Sequence, residues 1–388
     1  MMKPSLCAAL KRLAGLVLST LLVLAWSPSS VLAVMATPSS CNESFSFSGY
    51  RGINLSLHTN PTLQDFEKIA SWGANLVRLV IHADPTKPQY RDYYNTDLST
   101  IQGGAFAKLD QVLGFAARTH IRVVIDLHTA PGSDDGSLWT SYRHWDAFER
   151  LWAFLAERYK DDPTIVGFDL LNEPTLVTVN SSAVGRLAMQ QGNWTFPADW
   201  RETPRDYFAL MTRVARTIHR ISPTKAIIVE GVGLWGNPVN FTWMEPIDAC
   251  NVVYSFHMYV PHKFTHAGSG NNRRDVSYDR ARQRPGILAS VEPVVGFAKK
   301  YQVPVFVGEF GLNYFNEGRG ASAWLDDVLE IFESNGWSWS YWTYSIDFRN
   351  PEIRMVGNSM TRNQETERLK TLKKFWLNNK PAATANQP

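Results

Sequence analysis

The sequence predicts an α/β protein of the single-domain (β/α)8 barrel class. Three observations carry that expectation. Eight short apolar runs alternate with amphipathic stretches along most of the 388 residues. Most of the runs are near-continuous and rich in β-branched residues, as strands covered on both faces should be. No glycine-rich phosphate loop follows the first run, although the alternative, an open doubly wound sheet, usually carries one there.

The elements follow in order. The first strand is expected at Arg51–Leu55, and Pro61-Thr62 opens an amphipathic helix over Leu63–Trp72. The second strand, Leu76–Ile81, is followed by a long loop (83–101) and a helix over Phe106–Thr119 behind Gly103-Gly104. The third strand, Arg122–Leu127, leads through a loop to a helix over Trp145–Tyr159, which stops before Asp161-Asp162-Pro163. The fourth strand, Ile165–Leu171, ends at Asn172-Glu173-Pro174, where proline cannot donate to a ladder. A long loop then reaches a helix over Tyr207–Ile221, closed by Ser222-Pro223. The fifth strand, Ala226–Glu230, has no clear long helix before the sixth, Val252–Phe256. Helices are expected at Ile287–Tyr301, Ala323–Asn335 and Glu365–Leu377, around a seventh strand, Val303–Val307, and an eighth, Trp339–Thr343.

The ends read differently. Lys3, Lys11 and Arg12 precede the apolar run Leu13–Trp26, which is short for a membrane span. Residues 1–36 are therefore expected to be a signal peptide, cleaved after Ala33 or Ala36, with an uncleaved anchor as the alternative. Residues 37–48 read as a polar linker, 49–380 as the barrel domain and 381–388 as a disordered tail. Export implies a secreted, extracellular or periplasmic, protein with no membrane attachment after cleavage.

Those three basic residues supply the whole net charge of +3, because no acid precedes Glu43. The mature chain is electrically balanced, which argues against nucleic acid or an anionic membrane as partner. Cys7 leaves with the signal, and Cys41 and Cys250 remain either as a disulfide or as two thiols. The nine histidines are dispersed, with no metal-binding spacing among them, so no cofactor or metal is expected. The 14 tryptophans exceed what a core usually needs. Trp139, Trp194, Trp200, Trp235 and Trp243 fall in the loops that follow strands, where flat rings suit sugar faces.

The chemistry concentrates at strand ends. Glu173 closes the fourth strand and Glu309, in Gly308-Glu309-Phe310-Gly311, closes the seventh. Paired carboxylates over a barrel mouth fit glycoside hydrolysis; the bland alternative is that each merely pairs with an arginine. Arg78 lies inside a buried run and requires a carboxylate partner, with Glu309 favoured and Asp126 or Asp169 as alternatives. His128 closes the third strand, and His257 and Tyr259, two apart and so on one face, close the sixth. Trp342 stands at the end of the eighth strand.

Taken together, Arg51-Gly52-Ile53-Asn54, Arg78, His128, Asn172-Glu173-Pro174, His257-x-Tyr259, Gly308-Glu309-Phe310-Gly311 and Trp342 resemble family 5 of the glycoside hydrolases, the cellulase family of the retaining clan A. The resemblance implies Glu173 as acid/base and Glu309 as nucleophile. It implies that Asn172 binds the sugar 2-hydroxyl, that Arg78 and Tyr259 hold Glu309, and that His128, His257 and Trp342 contact the reacting sugar. With those roles, Arg78 and Tyr259 should keep Glu309 ionised, and its charge should raise the pKa of Glu173. The expected activity is a monomeric endo-β-1,4-glucanase acting on β-glucan. A β-1,3-glucanase, a mannanase, a transglycosylating glucan-remodelling enzyme and a non-catalytic glycan-binding barrel are the alternatives.

Overall fold

The computed structural model describes residues 41, 45–82, 104–133, 136–176, 190, 193–269, 272–344 and 366–379. The expected signal segment, most of the expected linker, the expected loop 83–101 and the expected tail lie outside the described residues. Eight parallel strands close into one barrel in sequence order. They are β1 (Arg51–Ser56), β2 (Leu76–His82), β3 (Arg122–Thr129), β4 (Ile165–Asp169), β5 (Ala226–Glu230), β6 (Val252–Met258), β7 (Val305–Phe310) and β8 (Ser338–Tyr344). The expected (β/α)8 architecture is what the chain adopts.

The long outer helices are α1 (Leu63–Ser71), α2 (Gly104–Arg118), α3 (Tyr142–Tyr159), α4 (Tyr207–Ile221), α5 (Arg280–Tyr301), α6 (Ala321–Ser334) and α7 (Glu367–Trp376). One 3-10 turn, Pro238–Thr242, stands between β5 and β6 in place of a helix. Capping fixes several starts. Thr62 and Asp65 form a capping box on α1, and Asp206 and Thr366 accept backbone N–H groups of α4 and α7. Asp279 caps α5, which begins at Arg280, seven residues before the expected start.

Side-chain alternation sorts the core into two compartments. Val77, Leu79 and Ile81 of β2 face the helices, in the large outer cluster. Leu76, Val124, Ala226, Ile228, Val253 and Phe306 face inward and form the barrel's lower layer with Phe47. The stretch read as a linker is thus anchored at two points. Phe47 is buried in the barrel, and Cys41 is disulfide-bonded to Cys250 with Cα atoms 5.3 Å apart. Of the two options left open for these cysteines, the bridge is the one formed.

One layer higher, the inward residues become polar. Asn54, Arg78, Asp126, Asp169, Glu230, Ser255 and Ser340 are all buried there. Burial of this many polar groups is tolerable only if they satisfy one another.

Candidate active site

Arg78 organises the polar layer. Its Nε donates to Asp169 at 2.8 Å, its Nη1 to Glu309 at 2.9 Å and Asn54 at 3.1 Å, and its Nη2 to Asn172 at 2.9 Å and Glu230 at 3.0 Å. Asp126 Oδ1 lies 3.0 Å from Nη2. The favoured partner and both alternatives are therefore all present, and Glu230 is added. Five donors on a rigid fork can serve several acceptors at once, so the single-partner expectation was too narrow.

Glu309 reaches this layer through a bulge. Strict alternation from Phe306 would turn residue 309 toward the helices. The β6–β7 register instead skips from Phe256–Val307 to His257–Glu309, which makes Gly308 the extra residue. Its carbonyl is pinned by Asn54 Nδ2 at 3.0 Å and Ser340 Oγ at 2.6 Å. A β-carbon on residue 308 would stand 2.7 Å from Ser255 Oγ and 3.1 Å from His257 Nε2. The bulge needs a glycine, and it aims Glu309 into the barrel mouth. There Arg78 holds Oε1, and the Tyr259 hydroxyl donates to Oε2 at 2.9 Å.

Glu173 lies beyond β4, where the chain turns at Pro174. Its backbone is left-handed, φ 45°, a conformation that costs a non-glycine residue about 1–3 kcal/mol. Its N–H donates to Glu230 Oε2 at 2.7 Å, which offsets part of that cost. The side chain meets His257 Nδ1 at 2.9 Å, and the other ring nitrogen, Nε2, lies 3.1 Å from Glu230 Oε1. One carboxylate oxygen each of Glu173 and Glu309 and one ring nitrogen of His257 lie within 4.8 Å of one another. Arg78 already supplies a fixed cation to this group, and the arrangement is suited to moving protons. Two carboxylates this close fall on the side of retaining glycosidases, whose pairs stand about 5–5.5 Å apart, against about 6.5–9.5 Å for inverting ones.

The remaining expected residues join the same mouth. Asn172 accepts from Arg78 through Oδ1, so its NH2 is not engaged by that contact. His128 Nδ1 is 2.8 Å from Asp126, and its ring stacks on Trp342 at 5.5 Å and 14°.

Comparison with known proteins identifies a family. The model described as Cellulase (glycosyl hydrolase family 5) matches residues 40–347. The chain belongs to glycosyl hydrolase family 5. Endoglucanase C of Acetivibrio thermocellus is 22% identical over 342 residues, covering 77% of this chain and 89% of the relative. Cellodextrinase A of Ruminococcus flavefaciens is 24% identical over 286 residues, covering 70% and 75%. Among solved structures, Thermotoga maritima Cel5A in complex with cellobiose superposes with a TM-score of 0.62 at 21% identity, over 83% of this chain and 97% of that one. This family 5 member is a glycoside hydrolase.

The electrostatics of this hydrolase differ from the sequence expectation at one point. Burial pushes the Glu173 carboxyl up, but the hydrogen bond and charge of His257 outweigh it and hold it below the ordinary glutamate value. Burial raises Glu309, and His257 and Arg78 pull it back without cancelling the rise. The expected order of the pair is thus reversed in the free protein. The cause is His257: burial opposes its charge, yet Glu230, Glu309 and Glu173 together raise its pKa well above the ordinary histidine value. Burial also opposes the charge on His128, and Asp126 overcomes it.

Glu230, which contacts Arg78, His257 and the Glu173 backbone, has no place in the sequence reading of the site. Its signal was present, since it closes β5 just as Glu309 ends the apolar run of β7. The loop tryptophans are the opposite case. Trp139, Trp200 and Trp243 are buried within the loops, and Trp194 is half-buried among them, 5.0 Å from Trp243. Trp243 Nε1 donates to the Val232 carbonyl at 2.8 Å, so this ring braces its loop and does not line a cleft. Trp235 alone of the five is open, 53% exposed.

Proposed function

We propose that this protein is an exported, retaining β-glucanase that cleaves β-1,4 glucan internally by double displacement. The observation that carries the reading is the approach of Glu173 and Glu309 oxygens to within 4.8 Å, on opposite sides of one barrel mouth. Glu309, steadied on both oxygens by Arg78 and Tyr259, attacks the anomeric carbon. Glu173 protonates the departing oxygen and later takes a proton from water. Asn172 donates to the sugar 2-hydroxyl, and His128 and Trp342 lie along the reacting sugar. The names of the relatives, endoglucanase and cellodextrinase, support β-glucan as substrate. The Cys41–Cys250 bridge supports an oxidising compartment and therefore export. The presence of both carboxylates argues against a barrel that only binds glycan.

Transglycosylation is a second reading that one observation favours. Trp235 is exposed on the β5–β6 loop, and Gly236 beside it packs on His257, on the acid/base side where an acceptor sugar would lie.

The test pairs variants with product analysis. Glu309→Ala should abolish turnover, and azide should restore a glycosyl azide of inverted configuration. Glu173→Ala should keep its first step on substrates with good leaving groups. Resolving products from β-1,4 glucan, β-1,3 glucan and mannan then fixes linkage and mode. Wild-type rates in Glu309→Ala would remove the reading, and release of single sugars alone would remove internal cleavage.

A further inference from the structure

Five carboxylates, Asp126, Asp169, Glu173, Glu230 and Glu309, crowd one guanidinium in the barrel mouth. Such an excess of like charge can persist only if the cluster holds protons of its own. His257 stands at the centre of the problem. Both of its ring nitrogens face carboxylate oxygens, Nδ1 toward Glu173 at 2.9 Å and Nε2 toward Glu230 at 3.1 Å. An ionised carboxylate can only accept. Two such contacts therefore require either an imidazolium with two N–H groups or one proton shared between a carboxyl oxygen and a ring nitrogen.

The two contacts are not equivalent. Glu230 is buried, and its other oxygen is taken by the Glu173 backbone N–H at 2.7 Å. Arg78 Nη2 stands 3.0 Å from the oxygen that faces His257. The Tyr207 hydroxyl binds the residue's own backbone carbonyl. Glu230 is thus an immobile, charged acceptor. The Glu173 carboxylate is partly open to the cleft, with its side chain 26% exposed. A carboxylate fixed on Nε2 leaves Nδ1 as the nitrogen that can exchange its proton, as a second partner commonly sets the working nitrogen of a histidine.

We propose that Glu230 is a positioning residue that anchors His257 through Nε2–H, so that Nδ1 stores the catalytic proton of Glu173 and returns it. The inference rests on the acid/base assignment of Glu173 and deepens it. In the first step the Nδ1–H bond breaks and an O–H bond forms on Glu173 Oε1. That O–H bond breaks in turn as the leaving oxygen is protonated. In the second step water gives a proton to Glu173, which passes it back to Nδ1. No other reactant is consumed. The depressed Glu173 carboxyl and the raised imidazole of the free protein accord with this resting position. The other charged groups facing the pair are Arg78 on β2, Asp126 and His128 on β3, Asp169 on β4 and Glu309 on β7, and they stay unchanged in the test.

The test is Glu230→Gln, which keeps the size and an acceptor oxygen but removes the charge. Nitrogen NMR of the full chain labelled in histidine should show His257 protonated on both nitrogens near neutral pH in the wild type, or a proton shared between Nδ1 and Glu173. In Glu230→Gln the proton should leave Nδ1 at a lower pH. The alkaline limb of kcat/KM on an unactivated glycoside should move down by about one pH unit or more. The first step on an aryl glycoside with a good leaving group should keep its pH dependence. A wild-type His257 with a bare Nδ1 beside an ionised Glu173 near neutral pH would overturn the proposal. So would an unmoved limb in a Glu230→Gln protein that melts like wild type. Glu173→Ala separates the two levels: if that variant cleaves unactivated glycosides at wild-type rates, the assignment beneath the proposal has failed.

Discussion

Tyr259 and Arg78 hold opposite oxygens of Glu309, each at 2.9 Å, so the carboxylate has no freedom to rotate away from the cleft. Tyr259→Phe removes one of these donors and nothing of the ring. A hydrogen bond to a charged group contributes about 1.5–3 kcal/mol, so kcat/KM should fall by roughly 10- to 100-fold. Losing a donor to the charged form also raises the Glu309 pKa further, so the acid limb of the pH profile should move to higher pH. Steady-state kinetics across pH would check both.

The wild-type profile itself has a defined sign. The Glu309 carboxyl lies above the ordinary glutamate value, with burial as the main cause. Activity should therefore be lost on the acid side at a higher pH than for a free glutamate. His257 lies well above the ordinary histidine value, against the pull of its burial, because three carboxylates face it. The proton it shares with Glu173 should then persist above about pH 6.5, and the alkaline limb should fall beyond that point. A profile centred on ordinary glutamate and histidine values would contradict these directions.

Gly308→Ala tests the bulge. Its β-carbon would meet Ser255 Oγ at 2.7 Å and His257 Nε2 at 3.1 Å. Overpacking of this kind costs about 1–3 kcal/mol. Turnover should fall more than the melting temperature, because the displaced groups belong to the mouth and not to the apolar core. Ser255→Gly in the same chain should restore part of the loss. Equal losses in the single and double variants would show that the clash is not the cause.

Much of this was legible before the structure. Buried β-branched runs announced the barrel, and two of them ended at glutamates, so both carboxylates and their side of the barrel were readable. The limits were local. Gly308 reads as the end of a strand, yet it is a bulge inside one, and β7 runs on to Phe310. The helix expected from Ile287 begins at Arg280, where Asp279 caps α5, and it continues through Pro285. Charge balance among five carboxylates depends on distances, so the proton on His257 and the reversed order of Glu173 and Glu309 had no sequence signal. The loop tryptophans failed for a related reason: composition does not say whether a ring faces solvent or its own loop.

The disulfide gives a prediction outside the site. Cys41 and Cys250 are 209 residues apart, and the loop-entropy model assigns a bridge of that span about 5 kcal/mol at most. Cys41→Ser should lower the melting temperature and leave activity at moderate temperature close to wild type, since its partner Cys250 precedes the start of β6 and His257 stands near that strand's other end. Reductant should lower the wild-type melting temperature and leave the variant unmoved. Melting curves with and without reductant would decide it.

The most direct measurement traps the intermediate. A 2-deoxy-2-fluoro cellobioside with an activated leaving group slows the second step more than the first, so the glycosyl-enzyme accumulates. Peptide mapping by mass spectrometry should find one sugar adduct, on Glu309. An adduct on Glu173 or another residue, or turnover with inversion and no adduct, would contradict the account.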